Sequence, residues 1–224
     1  MPNPTRLPSG WALIFDLDGV IVDSNPLHTK AWRAYLQNLG IACDEIERRM
    51  HGRRNDEIVA DFIGTGLTPE QVFAHGAAKE RMYREMMQSE LEERLVPGIR
   101  DFLAWADGIP TAVASNAEPA NVDFVLNGAG LRPCFKAIVD GQQVARPKPY
   151  PDIYMLAADL IGVPAAECVV FEDSPAGIAA ARAAGARVVG VQTVRGDLPG
   201  VDFLVRDFRD GGLKDWLRSV ESKI

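Results

Sequence analysis

The sequence predicts an α/β protein, with a Rossmann-like, mostly parallel sheet core and an inserted all-helical cap domain. Three observations predict it. Short, continuously apolar runs recur along the chain, as in strands buried on both faces of a parallel sheet. Ala/Leu-rich segments without internal proline alternate with those runs, in the pattern of crossover helices. One long stretch, residues 24–96, breaks the alternation and carries helical signals alone.

The first apolar run, Trp11 to Phe15, ends abruptly in Asp16-Leu17-Asp18-Gly19. The insert follows. Helices are expected over Pro26–Leu39, Asn55–Ile63 and Pro69–Leu91, with Leu27, Ala31, Ala34, Tyr35 and Leu39 at helical spacing in the first. Thr68-Pro69-Glu70-Gln71 supplies an N-cap, a proline at the first helical position and an early acid. The chain is expected to cross back near Asp23–Pro26 and Arg94–Gly98, so residues 1–23 and 97–224 form the core and 24–96 the cap. Further strands are expected at Thr111–Ala114, Ala137–Val139, Cys168–Phe171, Arg187–Val191 and, more weakly, Phe203–Val205. Between them, helices are expected at Asp101–Ala106, Pro119–Asn127, Asp152–Ile161 and Pro175–Ala184, with Gly130, Gly162 and Gly185 where a helix would stop. Trp216 is expected to pack a last helix onto the sheet.

Composition narrows the class of function. Of 224 residues, 47% are apolar and 25% charged, which suits a globular protein and excludes a collagen-like fibre or a disordered tail. The 24 basic residues against 31 acidic ones give a net charge of −7. That balance lacks the basic footprint of a nucleic-acid or anionic-membrane binder, so neither partner is expected. A small anionic substrate remains compatible, because a pocket can be positive inside a negative whole. The three cysteines, Cys43, Cys134 and Cys168, are scattered and form no CxxC, and no run of 18 apolar residues occurs. No signal-peptide pattern is visible at the N-terminus, and a reduced, cytoplasmic setting is expected. Oligomeric state is not readable.

In an open parallel sheet, ligands bind beyond the carboxyl ends of the strands. Asp16 and Asp18 follow the first strand, Ser115 and Asn116 the second, and Glu172, Asp173 and Ser174 the fourth; the loop after the third leads to Lys148. Four carboxylates in one cleft repel one another unless a cation is present, and an oxygen-rich set of this kind suits Mg²⁺. One carboxylate can attack phosphorus while another moves a proton. Lys148 and Ser115 are placed to hold phosphoryl oxygens. Each residue alone has a plainer reading. Asp16 could end a strand, Ser174 could cap a helix, and Lys148 could be a solvated loop lysine. The convergence of all of them favours chemistry.

Phe15-Asp-Leu-Asp-Gly-Val-Ile-Val-Asp-Ser24 resembles the first motif of the haloacid dehalogenase superfamily of phosphotransferases. Ser115-Asn116, Lys148 and Phe171-Glu-Asp-Ser-Pro-Ala-Gly-Ile178 match its second, third and fourth motifs in order and spacing. The helical insert resembles the cap of the subgroup that includes β-phosphoglucomutase and related sugar-phosphate phosphatases. The resemblance implies Asp16 as nucleophile and Asp18 as general acid/base. It implies Mg²⁺ held by Asp16, the backbone carbonyl of Asp18, and Asp173, with Glu172 nearby or directly bound. The superfamily's dehalogenases lack the second aspartate of the first motif, so Asp18 argues against that branch.

Cap residues are expected to select the leaving group. His28 matches a cap histidine that reaches the acid/base aspartate, Lys79 a cap lysine, and His51-Gly52-Arg53-Arg54 a substrate-specificity loop. There Gly52 would allow close approach, and Arg53 or Arg54 could hold a second anion. Against these stand a surface histidine, a solvated helix face and a solvated basic turn. Glu118 sits where mutases of the subgroup commonly carry a base and would repel a second phosphate. The reading is therefore a Mg²⁺-dependent phosphomonoester hydrolase acting on a small phosphorylated metabolite. A phosphomutase is the alternative and a non-catalytic ligand binder a remote one.

Overall fold

A computed structural model describes residues 7–50, 53–193 and 196–220. Among these residues six strands form one sheet in the order β3-β2-β1-β4-β5-β6, and every pairing between them is parallel. They are β1 (Ala12–Phe15), β2 (Thr111–Ala114), β3 (Ala137–Val139), β4 (Cys168–Glu172), β5 (Arg187–Val191) and β6 (Phe203–Val205). All four residues of β1, all four of β2 and all five of β4 are buried, which is why the sequence reads as apolar from Ala12 to Phe15, Ala112 to Ala114 and Cys168 to Phe171. Register aligns Phe15 of β1 with Phe171 of β4, whose rings stack at 4.7 Å. Asp16 and Glu172 are therefore set side by side at the same sheet edge.

Helices α1 (Asn25–Asn38), α2 (Ile46–Met50), α3 (Asn55–Phe62) and α4 (Pro69–Met87) make up the insert. The remaining helices, α5 (Ile99–Trp105), α6 (Pro119–Gly128), α7 (Asp152–Ile161), α8 (Pro175–Ala183) and α9 (Leu213–Ser219), flank the sheet. Thr68 caps α4 as expected, its hydroxyl accepting from Gln71 N while the Gln71 side chain accepts from Thr68 N. Gly130, Gly162 and Gly185 all take positive φ where helices end. Trp216 stacks on Phe203, fixing α9 against β6. The short α2 lies between the expected helices, in a stretch assigned to none of them.

The two crossings between insert and core lie against each other. Asp23 N donates to Arg94 O at 2.8 Å and Val96 N to Ile21 O at 3.0 Å, with an antiparallel bridge between Val22 and Leu95. Apolar packing divides the insert. Trp32, Leu36, Ile46, Met50, Ile58 and Val59 form their own small cluster. Leu27, Ala31, Tyr83 and Met87, at the near ends of α1 and α4, belong to the main core. Leu39, counted among the first helix's apolar positions, is exposed, because α1 ends one residue before it.

Candidate active site

Burial and charge concentrate where β1, β2 and β4 end. Lys148 Nζ donates to Asp16 Oδ1 (2.8 Å), Glu172 Oε1 (2.7 Å) and the Ala114 carbonyl (3.1 Å). The Lys148–Pro149 bond is cis, and the Lys148 backbone N–H donates to Asn116 Oδ1. Glu172 is fully buried and carries five hydrogen bonds. Oε1 accepts from Lys148 and the Tyr154 hydroxyl; Oε2 accepts from the Asp173 and Ser174 backbone N–H groups and the Ser174 hydroxyl. Ser174 also caps α8, its hydroxyl accepting from Gly177 N, so the capping and site roles coexist. Ser115 is buried, and its hydroxyl accepts from Ala117 N rather than capping α6.

Two glycines are required here. A Cβ at Gly177 would lie 1.7 Å from Glu172 Oε1, and one at Gly19, where φ is +78°, would lie 1.9 Å from Asp173 Oδ2. The backbone after Asp18 thus passes directly over the Asp173 carboxylate, which also accepts from Asn25 Nδ2 at 3.0 Å. Oxygens of Asp16, Glu172 and Asp173 come within 4.8 Å of one another, a grouping that could hold a metal ion.

Electrostatics separates these acids. Burial pushes Asp16 up to about 7, only partly opposed by Lys148, with Glu172 and Asp18 adding repulsion. Burial and the carboxylates of Glu172, Asp16 and Asp18 hold Asp173 well above its ordinary value. Burial would also raise Glu172, but the Lys148 ammonium and its hydrogen bonds win and lower it. Asp18 is likewise lowered despite burial, by His28 and by hydrogen bonds from His28 and Ser24.

The insert closes the other side of the cleft. His28 Nε2 stands 3.4 Å from Asp18 Oδ1, and the His28 ring stacks on Tyr83 at 3.8 Å. Lys79 is buried, its Nζ bonded to Glu80 Oε1 (2.6 Å) and His28 Nδ1 (3.0 Å), which overturns the solvated-face reading of this helix. Glu80 was not anticipated. It is buried, and although burial alone would raise it, Lys79, His28 and Asn121 bring it down to about 2. Arg53 and Arg54 line the same cleft but differ. Arg53 is occupied, donating to the Arg49 carbonyl, the Glu57 carbonyl and Asp61. Among the described residues the Arg54 guanidinium pairs with Asp56, at 3.3 Å. Gly52 lies outside the described residues. Glu118 forms a 2.6 Å ion pair with Arg84, so the repulsion expected from it is already compensated.

A parallel sheet whose carboxyl edge gathers a buried lysine and three acids, covered by a helical insert, defines a capped phosphoryl-transfer enzyme of the phosphatase type. A family model for haloacid dehalogenase-like hydrolases matches residues 12–185, and the chain belongs to that family. It is 36% identical over 183 residues to fructose-1-phosphate phosphatase YqaB of Escherichia coli, covering 80% of this chain and 95% of that one. The crystal structure of β-phosphoglucomutase from Clostridium difficile superposes with a TM-score of 0.81 at 25% identity, over 92% and 96% of the two chains. CbbY from Rhodobacter sphaeroides, solved in complex with xylulose-(1,5)bisphosphate, superposes at 0.73 with 30% identity, over 90% and 96%.

Proposed function

We propose that this enzyme hydrolyses the phosphomonoester of a small phosphorylated metabolite, a sugar phosphate, through an aspartyl-phosphate on Asp16. The observation that carries the reading is the Lys148 bridge, which engages one oxygen of Asp16 at the sheet edge beside Asp173 and, among the described residues, leaves the other without a hydrogen bond. The phosphoryl dianion, entering beside the otherwise ionised Asp18, brings it a proton from solvent; Asp16 then attacks phosphorus, the ester bond to the leaving oxygen breaks, and Asp18 gives that oxygen the proton. Asp18 then takes a proton from water as the water attacks phosphorus, releasing inorganic phosphate and regenerating Asp16. Ser115 and Asn116 hold phosphoryl oxygens, and Lys148 offsets their charge.

The donor set fits Mg²⁺. It is all oxygen and it crowds like charges, and burial with the carboxylates of Glu172, Asp16 and Asp18 pushes Asp173 toward protonation. Asp16, Asp173 and the Asp18 carbonyl would hold the ion. Bound there, it would neutralise the repulsion between the attacking carboxylate and the phosphoryl dianion. Glu172, with five donors already on it, is assigned to Lys148 rather than to the ion. In the cap, His28 and Lys79 serve Asp18 and the leaving group, and Arg54 faces the far end of the substrate. Three free cysteines fit a reduced, cytoplasmic setting. Among the described residues no helix is long and apolar enough to cross a membrane.

A phosphate-release screen over sugar and short-chain phosphates, with Mg²⁺ and with chelator, tests this. Metal-dependent release is expected, and release from no substrate overturns it. Because Glu118 is compensated by Arg84, phosphomutase remains the second reading. Interconversion of hexose 1- and 6-phosphates without net phosphate release would establish it.

A further inference from the structure

Asp18 can act in only one phase of the reaction at a time, and something must tell it that the cleft is closed. The side chains that touch it come from the insert, and they lead to a residue that the motifs do not include. We propose that Glu80 is a positioning residue, whose carboxylate joins the Lys79–His28 pair of the insert to Asn121 of the core. Closure of the cap and orientation of His28 onto Asp18 are then one event.

The carboxylate divides its oxygens between the two bodies. Oε1 accepts from Lys79 Nζ (2.6 Å) and Asn55 Nδ2 (2.7 Å), both in the insert. Oε2 accepts from Asn121 Nδ2 (2.7 Å), on α6 of the core, and lies 3.7 Å from His28 Nδ1. One turn along α4, Arg84 Nη1 donates to Asn121 Oδ1 at 2.7 Å. A single buried core amide is therefore gripped at both ends by α4. An ammonium donates and never accepts, so Lys79 obliges His28 Nδ1 to accept, and the ring proton sits on Nε2, facing Asp18. If the cap lifts, Glu80 loses its Asn121 donor and the tether on the lysine that sets this tautomer is loosened. A buried carboxylate deprived of a donor is costly, so the open state is disfavoured by the same residue.

The proposal rests on Asp18 being the acid that protonates the leaving group, and its test separates the two. Spin labels are placed at Asn38→Cys on α1 and Asp159→Cys on α7, both exposed, with Cys43 and Cys134 changed to serine. Their distance is measured in ligand-free protein. Asn121→Ala and Glu80→Gln should both broaden it toward longer values; an unchanged distribution in Asn121→Ala overturns the bridge. Asn121→Ala leaves the insert's own contacts to Glu80 in place, so it remains informative if Glu80→Gln does not fold. In turnover, either variant should lose about 10–100-fold in kcat on a sugar phosphate, less than the roughly 10²–10⁴-fold that general acid catalysis supplies, because the acid itself stays in place. The loss should be far smaller on 4-nitrophenyl phosphate, whose leaving group departs without a proton. The double variant should lose no more than the worse single one. Equal losses on both substrates, or additive losses, overturn the positioning role. If the wild type releases no phosphate at all, the hydrolase reading falls, and the distance measurement still decides the bridge.

Discussion

Lys148 Nζ reaches Asp16 Oδ1 at 2.8 Å across 132 positions of sequence, and the same nitrogen reaches Glu172. Removing that ammonium leaves two buried carboxylates facing each other. Breaking a buried pair from one side costs about 3–5 kcal/mol. Lys148→Met should therefore lower stability by about that much in metal-free protein at neutral pH, read by denaturant unfolding, and should reduce turnover at least a thousandfold. The deficit should shrink as pH is lowered and Asp16 takes up its proton. A variant as stable as the wild type at every pH would show that Lys148 does not offset these charges.

Metal and protons should compete for the same oxygens. In the metal-free fold Asp16 is raised to about 7 and Asp173 is held well above its ordinary value, both by burial and by neighbouring carboxylates. Between the ordinary and the raised values the native state binds more protons than the unfolded chain, so these groups make stability fall as pH rises toward and through 7. Mg²⁺ binds the deprotonated oxygens. Its thermal stabilisation should be small near pH 6 and large near pH 8, where saturation at about 100 times Kd adds about 2.7 kcal/mol. For a chain of this size that is a rise in Tm of roughly 5–10 °C. Chelator should reverse it, and Asp173→Asn should abolish it. A metal shift independent of pH would place the ion elsewhere.

How much of this was legible in sequence follows from what each residue packs against. Strands buried on both faces announce themselves as apolar runs, so β1, β2 and β5 lie where the runs do. The strand β4 runs one residue beyond the expected Phe171, because Glu172 is a charge hidden by Lys148 and Tyr154. The motif acids and Lys148 could be read because their neighbours in sequence are distinctive. Glu80 could not, since Lys79-Glu80-Arg81 looks like a solvated turn of helix. One signal was present: Lys79, Tyr83 and Met87 recur every four residues on α4, and all are buried. That spacing puts Lys79 on the inward face. What it cannot supply is Asn121, a partner 41 residues away.

Gly177 separates site geometry from helix propensity. Alanine normally improves a helix interior. Here its Cβ would enter the Glu172 carboxylate at 1.7 Å. Gly177→Ala should destabilise by about 1–3 kcal/mol, the range for overpacking a buried site. Activity should fall more than that loss of folded protein explains, because Glu172 is the anchor of Lys148. Calorimetry and turnover on the same preparation check this, and a stabilised, fully active variant refutes the crowding argument.

The two adjacent arginines should answer differently to truncation. Arg53 ties the insert together through the Arg49 and Glu57 carbonyls and Asp61, whereas among the described residues the Arg54 guanidinium pairs with Asp56 alone and lines the cleft that the acids also line. A hydrogen bond from a guanidinium to an anion contributes about 1.5–3 kcal/mol. Arg54→Ala should therefore raise KM for a sugar bisphosphate about tenfold to a hundredfold, the equivalent of that energy. KM for the corresponding monophosphate should change little, since its far end carries no charge to hold. Arg53→Ala should lower Tm and affect both substrates alike, because it acts through the shape of the insert. If Arg53→Ala discriminates between the two substrates and Arg54→Ala does not, the assignment of the two guanidinium groups is reversed. If neither discriminates, the cleft holds no second anion, and substrates with a single phosphate are the ones it is built to take.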